Sequence, residues 1–354
     1  MIGRFKASNF RCLENAELDL APGFNLIYGQ NASGKTSLLE ALAYLGRGKS
    51  FRGAPTANLI RHGQTEFVLF GEVRREGRTQ RLGARNSREG LEVRVDGSDE
   101  GGAAALADAL PLQVIDPDIH NLVAGGPEQR RRFLDWVAFH VEHDHLHAWR
   151  RFRRALKQRN AALKSRSGAA AIRSWNAEFV ELSLLLDASR RRSLDVAVGA
   201  LSEYGEFLLG TGLGFEYQQG WSKEKSLEAA LEEGLERDLQ QGTTQHGPHR
   251  ADLKISYDER QARKLVSRGQ QKLLASAMIL AATDTAQSAL ERPLLLLLDD
   301  PAAELDAESL GRLLDAVSGL GCQVVATSLD RGGLETPADT AVFHVEHGVL
   351  SPES

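Results

Sequence analysis

The chain opens with short apolar runs separated by polar punctuation, the pattern of half-buried strands. Leu18-Asp19-Leu20 leads into a Pro22-Gly23 turn, and Phe24-Asn25-Leu26-Ile27-Tyr28 is a compact apolar run. Phe67-Val68-Leu69-Phe70 and the alternating Leu91-Glu92-Val93-Arg94-Val95 continue the pattern, the second closing on a hairpin-type Asp96-Gly97. Two helices are expected to interrupt, one after Gly34 and one over Ala103–Leu110. From about Pro127 to about Leu239 the period changes: Phe133, Trp136 and Val137, then Trp149, Phe152, Leu156 and Leu163, recur at three, four and seven, as on helix faces. The last third returns to alternation of types. Strands are expected at Leu253–Tyr257, Leu294–Leu298 and Gln323–Ala326, with helices over Ser267 to about Leu290 and Glu308–Leu320.

A β-rich start and an α/β end around a helical middle predict an α/β fold in which one discontinuous domain carries an inserted helical lobe. The expected division is residues 1–115 with 286–354 for the first lobe and 116–285 for the second. Length agrees, because 354 residues exceed the roughly 250–300 at which a single core stops growing. At 42% hydrophobic and 26% charged, the composition excludes a mainly disordered, fibrous or membrane-spanning chain. No uninterrupted apolar run approaches the ~18 residues of a membrane helix. Met1-Ile2-Gly3-Arg4-Phe5-Lys6 carries charge where a signal peptide needs its apolar segment, and only two cysteines, Cys12 and Cys322, are present. A cytoplasmic protein with no membrane association is the expectation.

The net charge of -5 conceals an asymmetry. Between Arg130 and Arg192 stand 15 Lys/Arg and 6 Asp/Glu, a local +9 in an otherwise acidic chain. Arg150, Arg151, Arg153, Arg154, Lys157 and Arg159, followed by Lys164 and Arg166, crowd one predicted helix; such a cluster suits polyanion phosphates. Interleaved aromatic platforms and a base-reading module are not expected there, so duplex or junction backbone is the better match than a sequence site. Arg130, Arg131 and Arg132 could bind DNA as well, or tie the two lobes together through Asp135.

Gly29-Gln30-Asn31-Ala32-Ser33-Gly34-Lys35-Thr36, with Ser37 following, fits G-x-x-x-x-G-K-[ST] between an apolar strand and a helix. Glycines let backbone N–H groups curl round phosphate oxygens, Lys35 can reach the β- and γ-phosphates of ATP, and Thr36 can ligate Mg²⁺. Leu294-Leu295-Leu296-Leu297-Leu298-Asp299-Asp300 is a dry strand delivering two carboxylates: Asp299 for Mg²⁺, and Asp300 to orient or activate water. Val266-Ser267-Arg268-Gly269-Gln270-Gln271 opens a helix with groups that could face an anion.

These stretches, with Ala303-Glu304-Leu305-Asp306, resemble the Walker A, signature, Walker B and D-loop motifs of ABC-type ATPases. Asn9-Phe10-Arg11 in the opening strand, Pro127-Glu128-Gln129-Arg130-Arg131-Arg132-Phe133-Leu134-Asp135 and His246-Gly247-Pro248-His249-Arg250-Ala251-Asp252-Leu253 resemble the RecF family, of the SMC-like branch. The resemblance runs end to end and implies an ATPase head without a long coiled coil. It implies DNA replication and recombinational repair, with RecO and RecR as partners and RecA indirectly. It also implies an ATP-dependent head-to-tail homodimer in which Ser267, Gly269 and Gln270 complete the partner's nucleotide site, Asp306 lines the seam, and Arg11 packs near adenine or phosphate. Departures from the wider ABC pattern are Asp300 in place of Glu, Thr327 in place of a switch histidine, and Asp116-Pro117-Asp118 in place of the Q-loop glutamine. They imply slow hydrolysis. The alternative is an ABC-type subunit coupled to a membrane or other protein partner without DNA binding.

His143 and His147 could share a helix face, but a solvated helix is the simpler account of that run. His246-Gly247-Pro248-His249 is expected to be a constrained turn. Trp136, Trp149, Trp175 and Trp221 are expected in the core.

Overall fold

A computed structural model describes every residue except Glu76, Glu100, Glu259, Val266 and Ser354, and only the backbone of Lys264 and Leu265. Val266 of the expected signature therefore lies outside the described residues. The chain forms two compact units, Met1–Ile119 with Glu291–Ser354, and His120–Leu290.

The first unit begins with β1 (Ile2–Phe10), β2 (Leu13–Asp19), β3 (Phe24–Tyr28) and α1 (Lys35–Arg47). It continues through β4 (Glu66–Arg75), β5 (Arg78–Ser87), β6 (Gly90–Val95), α2 (Ala103–Ala109) and β7 (Leu112–Ile115). Strands β2-β1-β4-β5-β6 make an antiparallel sheet. One face is buried: Phe5 and Ala7 point inward on alternate positions, and Ile2 and Phe10 join them across a register shift after Ile2 and a positive φ at Asn9. Phe10, Tyr44 and Phe67 meet edge to face inside, with ring centroids 4.9–6.2 Å apart.

The second sheet of this unit adds β11 (Leu295–Leu298), β12 (Gln323–Ser328), β13 (Ala341–Glu346) and β14 (Val349–Glu353), with α12 at Ala307–Gly319. Its order is β14-β13-β3-β12-β11-β7, parallel except for the final β13–β14 hairpin. Strands covered on both faces read as continuous apolar runs, and Leu295–Leu298 is buried throughout. Buried Gln323 stitches the sheets together: it accepts from Ile2 N and donates to Ile2 O and Ala21 O, all at 2.8 Å.

The other unit comprises α3 (Asn121–Ala124), α4 (Pro127–Val141), α5 (His145–Lys164), α6 (Ala169–Arg173) and the 34-residue α7 (Asn176–Leu209). After these come β8 (Leu213–Gln218), α8 (Leu227–Glu233), α9 (Leu235–Gln241), β9 (Asp252–Tyr257), β10 (Arg260–Gln261), α10 (Ala262–Leu265) and α11 (Arg268–Leu290). β8, β9 and β10 form a small antiparallel sheet. α11 packs on α7 and α4 and is apolar nearly all round, as a central helix must be. Among the described residues it is the one helix long and apolar enough to cross a membrane, and 72% of its apolar window is buried in the protein.

Several expectations need correction. β1 ends at Phe10, so Arg11 stands in the following turn with φ 50°. β5, β7, β8, β13 and β14 were not foreseen. All four tryptophans are half-buried instead of enclosed. His143 lies in the turn before α5, so it shares no helix with His147.

Candidate nucleotide site and basic helix

The loop after β3 is held by its neighbours as well as by its glycines. A Cβ on Gly29 would stand 2.2 Å from the Val345 carbonyl oxygen of β13, so no other residue fits there. Gly34 takes φ 117° and Ala32 φ 63°, which curls the loop, and Ser33 N–H donates to Gln30 O at 3.1 Å within it. Gly348, beyond β13, donates its N–H to Ser33 O at 2.8 Å. α1 then starts at Lys35, whose ammonium donates to the carbonyls of Gly29 and Gln30. Burial pulls the Lys35 pKa below its usual value, while Asp300 and Asp299 oppose that shift.

Parallel register brings the acidic strand to the same edge. Leu298 of β11 pairs with Ala326 of β12 and Ile115 of β7, so Asp299 leaves the sheet beside Asp116. Asp299 Oδ1 accepts from Thr36 Oγ1 and from Thr327 Oγ1, each at 3.0 Å. Burial raises the Asp299 pKa, and those two hydroxyls work against the rise. Asp116 is pushed up to about 6, chiefly by burial and then by Asp118 and Asp299. Asp300 holds φ 48° and donates its N–H to Thr327 Oγ1 at 2.9 Å. A single threonine thus fixes both members of the aspartate pair.

A cavity of about 270 Å³ opens between these groups, lined by Asn31–Ser37 of the loop, Asp299 and Asp300, with Cys12, Arg52 and Leu329. Sequence reasoning missed the last three, which no motif marks. Ser33 Oγ is packed against Gly29, buried without a hydrogen-bond partner. The Lys35 ammonium and the Thr36–Asp299 oxygen pair match a magnesium-bound triphosphate in charge and donor type.

Other expected site residues sit in local structure of their own. Arg11 is ion-paired to the fully buried Glu40 of α1, its Nη2 donating at 2.9 Å. Asp306 caps α12, accepting from Ser309 N at 2.8 Å and Ser309 Oγ at 3.0 Å, and these bonds lower its pKa. Ser267 and Gln270 form a reciprocal cap at the start of α11: Gln270 N donates to Ser267 Oγ at 3.3 Å, and Ser267 N to Gln270 Oε1 at 2.9 Å. Gly269 lies in the first turn of that helix.

On α5, Arg150, Arg153, Arg154 and Lys157 are exposed, and their spacing of three, one and three sets them on one face. Arg153 lies over the Trp149 ring, 5.2 Å from its centroid. Arg151 is turned toward Glu178 at 3.7 Å. Arg159 does not belong to this surface. It is fully buried and donates to Asp238 Oδ2 and Thr244 Oγ1, both at 2.7 Å, and to Asn176 Oδ1 at 3.1 Å. Desolvated and enclosed, it cannot touch a phosphate backbone. The arginines of α4 are also structural in part. Arg130 pairs with both oxygens of Asp252, Arg131 donates to Ala251 O at 2.7 Å, and only Arg132 is exposed. Asp135 instead binds Arg190 of α7, at 2.7 and 3.0 Å. Gly247, at φ 134°, leads into the 3-10 turn Pro248–Arg250.

A phosphate-type loop after one parallel strand, a lysine and threonine opening the next helix, and an aspartate delivered by a nearby parallel strand together define a P-loop nucleotide-binding domain. The model of the RecF/RecN/SMC N terminal domain matches residues 1–351, and the chain belongs to that family, in its RecF branch. The DNA replication and repair protein RecF of Chromohalobacter salexigens is 43% identical, covering 98% of each chain. That of Escherichia coli (strain K12 / DH10B) is 38% identical over 98% of this chain and 99% of its own. The solved structure of the recombination mediator protein RecF with ATP aligns at TM-score 0.90 and 24% identity, covering 100% of this chain and 97% of the other. An Smc head bound to the C-winged helix domain of ScpA aligns at TM-score 0.60 and 15% identity, over 99% and 97% of the two chains. These likenesses establish the ATPase-head fold.

Proposed function

We propose that this protein is an ATP-dependent DNA-binding factor of recombinational repair and replication restart. ATP and Mg²⁺ close two copies head to tail around duplex DNA next to a single-strand gap or junction, and slow hydrolysis releases it. In the cell it works with RecO and RecR to help RecA load. The convergence of loop, Thr36, Asp299 and Asp300 on one cavity carries the reading. The names of its curated relatives and the ATP complex of a RecF support it.

In this reading Lys35 and the loop amides hold the phosphates, while Thr36 and Asp299 would hold Mg²⁺. Bound there, Mg²⁺ would neutralise phosphate charge. Asp300 takes the proton of the attacking water on its carboxylate. Its side chain is one methylene shorter than glutamate, so it places that water less closely and turnover is slow. Ser267, Gly269 and Gln270 serve the partner's site, Asp306 lines the seam, and Arg11 stays near the nucleotide through its anchor on Glu40.

The exposed face of α5 binds the duplex. Binding of a gapped duplex with Mg-ATP, followed across salt, tests this. Replacing Arg150, Arg153, Arg154 and Lys157 together by Ala should flatten the log–log salt slope by about 3–4, at roughly 0.9 per lost phosphate contact. An unchanged slope would move the DNA surface elsewhere.

A further inference from the structure

A second cavity, of about 780 Å³, lies in the same unit as the phosphate loop and shares no lining residue with the cavity there. That volume is in the range of small-molecule sites, roughly 300–1,000 Å³. Its walls come from the C-terminal part of α1, from the β5–β6 turn, and from the segment that leads into β4. α1 begins at Lys35, so Tyr44 and Gly48 on the wall stand about 14–20 Å along the helix from the phosphate loop. The lining sorts by chemistry. Arg61, His62 and Arg88 belong to it, and among the described residues no Asp or Glu does. His62 and Arg88 are exposed, while half-buried Arg61 spends one nitrogen, Nη1, on Glu14 Oε2 at 2.5 Å. Two other lining side chains are nearly enclosed, Tyr44 at 2% exposure and Asn86 at 4%. Asn86 Nδ2 donates to the Tyr44 hydroxyl, and among the described residues no donor reaches Asn86 Oδ1. A buried amide with an unused carbonyl on a cavity wall calls for a partner. Ile60 and Leu91, packed against the core, supply an apolar wall beside it. Gly63 and Gly90 have open space within 4 Å of where a Cβ would stand, so neither fills the cavity.

We propose that this cavity takes one nucleoside monophosphate unit, either a free mononucleotide or the unpaired end nucleotide of a DNA strand. The proposal stands apart from the nucleotide reading of the other cavity. A phosphate monoester matches the cationic side: Arg61 and Arg88 offer guanidinium forks, His62 stands between them in the lining, and no lining carboxylate repels the charge. A base matches the enclosed side. Its flat faces suit Ile60 and Leu91, and its edge sets donors beside acceptors, the pattern that a primary amide such as Asn86 reads. An inorganic anion would leave the amide and the apolar wall unused, and an uncharged base would leave the guanidiniums unused. A molecule with a phosphate at one end and a base at the other uses the whole lining.

The test uses the full chain as wild type, as Lys35→Ala, and as Arg61→Ala combined with Arg88→Ala. The ligand is the deoxynucleoside monophosphate of pyrrolo-cytosine, whose fluorescent base keeps its pairing edge. It is given free, or as the single unpaired end nucleotide of a short duplex. Fluorescence titration should show saturable binding of at least one form to the wild type, and the form that binds names the source. Lys35→Ala should bind it with the same affinity, because the phosphate loop takes no part. The double variant should bind at least about tenfold more weakly, having lost charge-assisted hydrogen bonds to phosphate. Removing the base, as deoxyribose phosphate or as an abasic end nucleotide, should weaken competition at least about tenfold. Absence of binding by both forms would overturn the proposal. So would wild-type affinity in the double variant, or competition that is as strong without the base as with it. Binding that disappears in Lys35→Ala would place the ligand in the other cavity, and would overturn it as well.

Discussion

At the scale of single residues, burial separates structural charges from those left to meet a ligand. Arg159 and Asp238 are both fully enclosed, 2.7 Å apart, and Thr244 and Asn176 occupy other donors of the guanidinium. Removing one member strands the other charge, so Arg159→Ala should lower unfolding free energy by about 3–5 kcal/mol. Chemical denaturation measures it, and a loss below 1 kcal/mol would contradict the assignment. Two histidines in the same unit set its response to acid. Burial lowers His145 and His249 to about 4, against 6.5 in an unfolded chain. Groups held neutral in this way contribute stability that is complete above pH 6.5 and is lost as pH falls toward 4. Each should cost about 2 kcal/mol on going from pH 7.5 to 5. The denaturation midpoint should drop over that range, and His145→Gln should lessen the drop; an equal drop in the variant would show that His145 titrates normally.

At the scale of elements, legibility followed distance along the chain. The phosphate loop is written in eight consecutive residues, and the all-leucine β11 announces a strand buried on both faces. Arg159 looked like one more member of a basic face because the partners that bury it, Asp238 and Thr244, lie on segments far along the chain. Cys12, Arg52 and Leu329 reach the cavity only through folding, so no local pattern could mark them. β5, Arg78–Ser87, has few apolar residues, because pairing on both sides by β4 and β6 makes it a strand. The start of α11 raises a choice between two roles. Ser267 caps the helix, and the proposed dimer asks the same residue to meet the partner's nucleotide. Ser267→Ala should cost about 1 kcal/mol of stability, whereas Ser267→Gly should cost only a few tenths. Both should bind Mg-ATP and fail to dimerise. ATP-driven dimers of normal affinity in Ser267→Gly would leave capping as the residue's whole role.

For the molecule as a whole, the account depends on nucleotide acting as the adhesive between two copies. Each protomer offers a phosphate cavity in one unit, Met1–Ile119 with Glu291–Ser354, and a signature-type helix start in the other. A head-to-tail pair with twofold symmetry would use both parts twice and enclose two nucleotides. Anything that binds only the paired form shifts association by mass action, so the dimer should follow Mg-ATP concentration. Sedimentation velocity of the wild type and of Lys35→Ala, with and without saturating Mg-ATP, measures this directly. The account predicts wild-type monomers that become dimers with Mg-ATP, and a Lys35→Ala protein that remains monomeric in both. A wild type that stays monomeric at saturating Mg-ATP while hydrolysing it at full rate would contradict it.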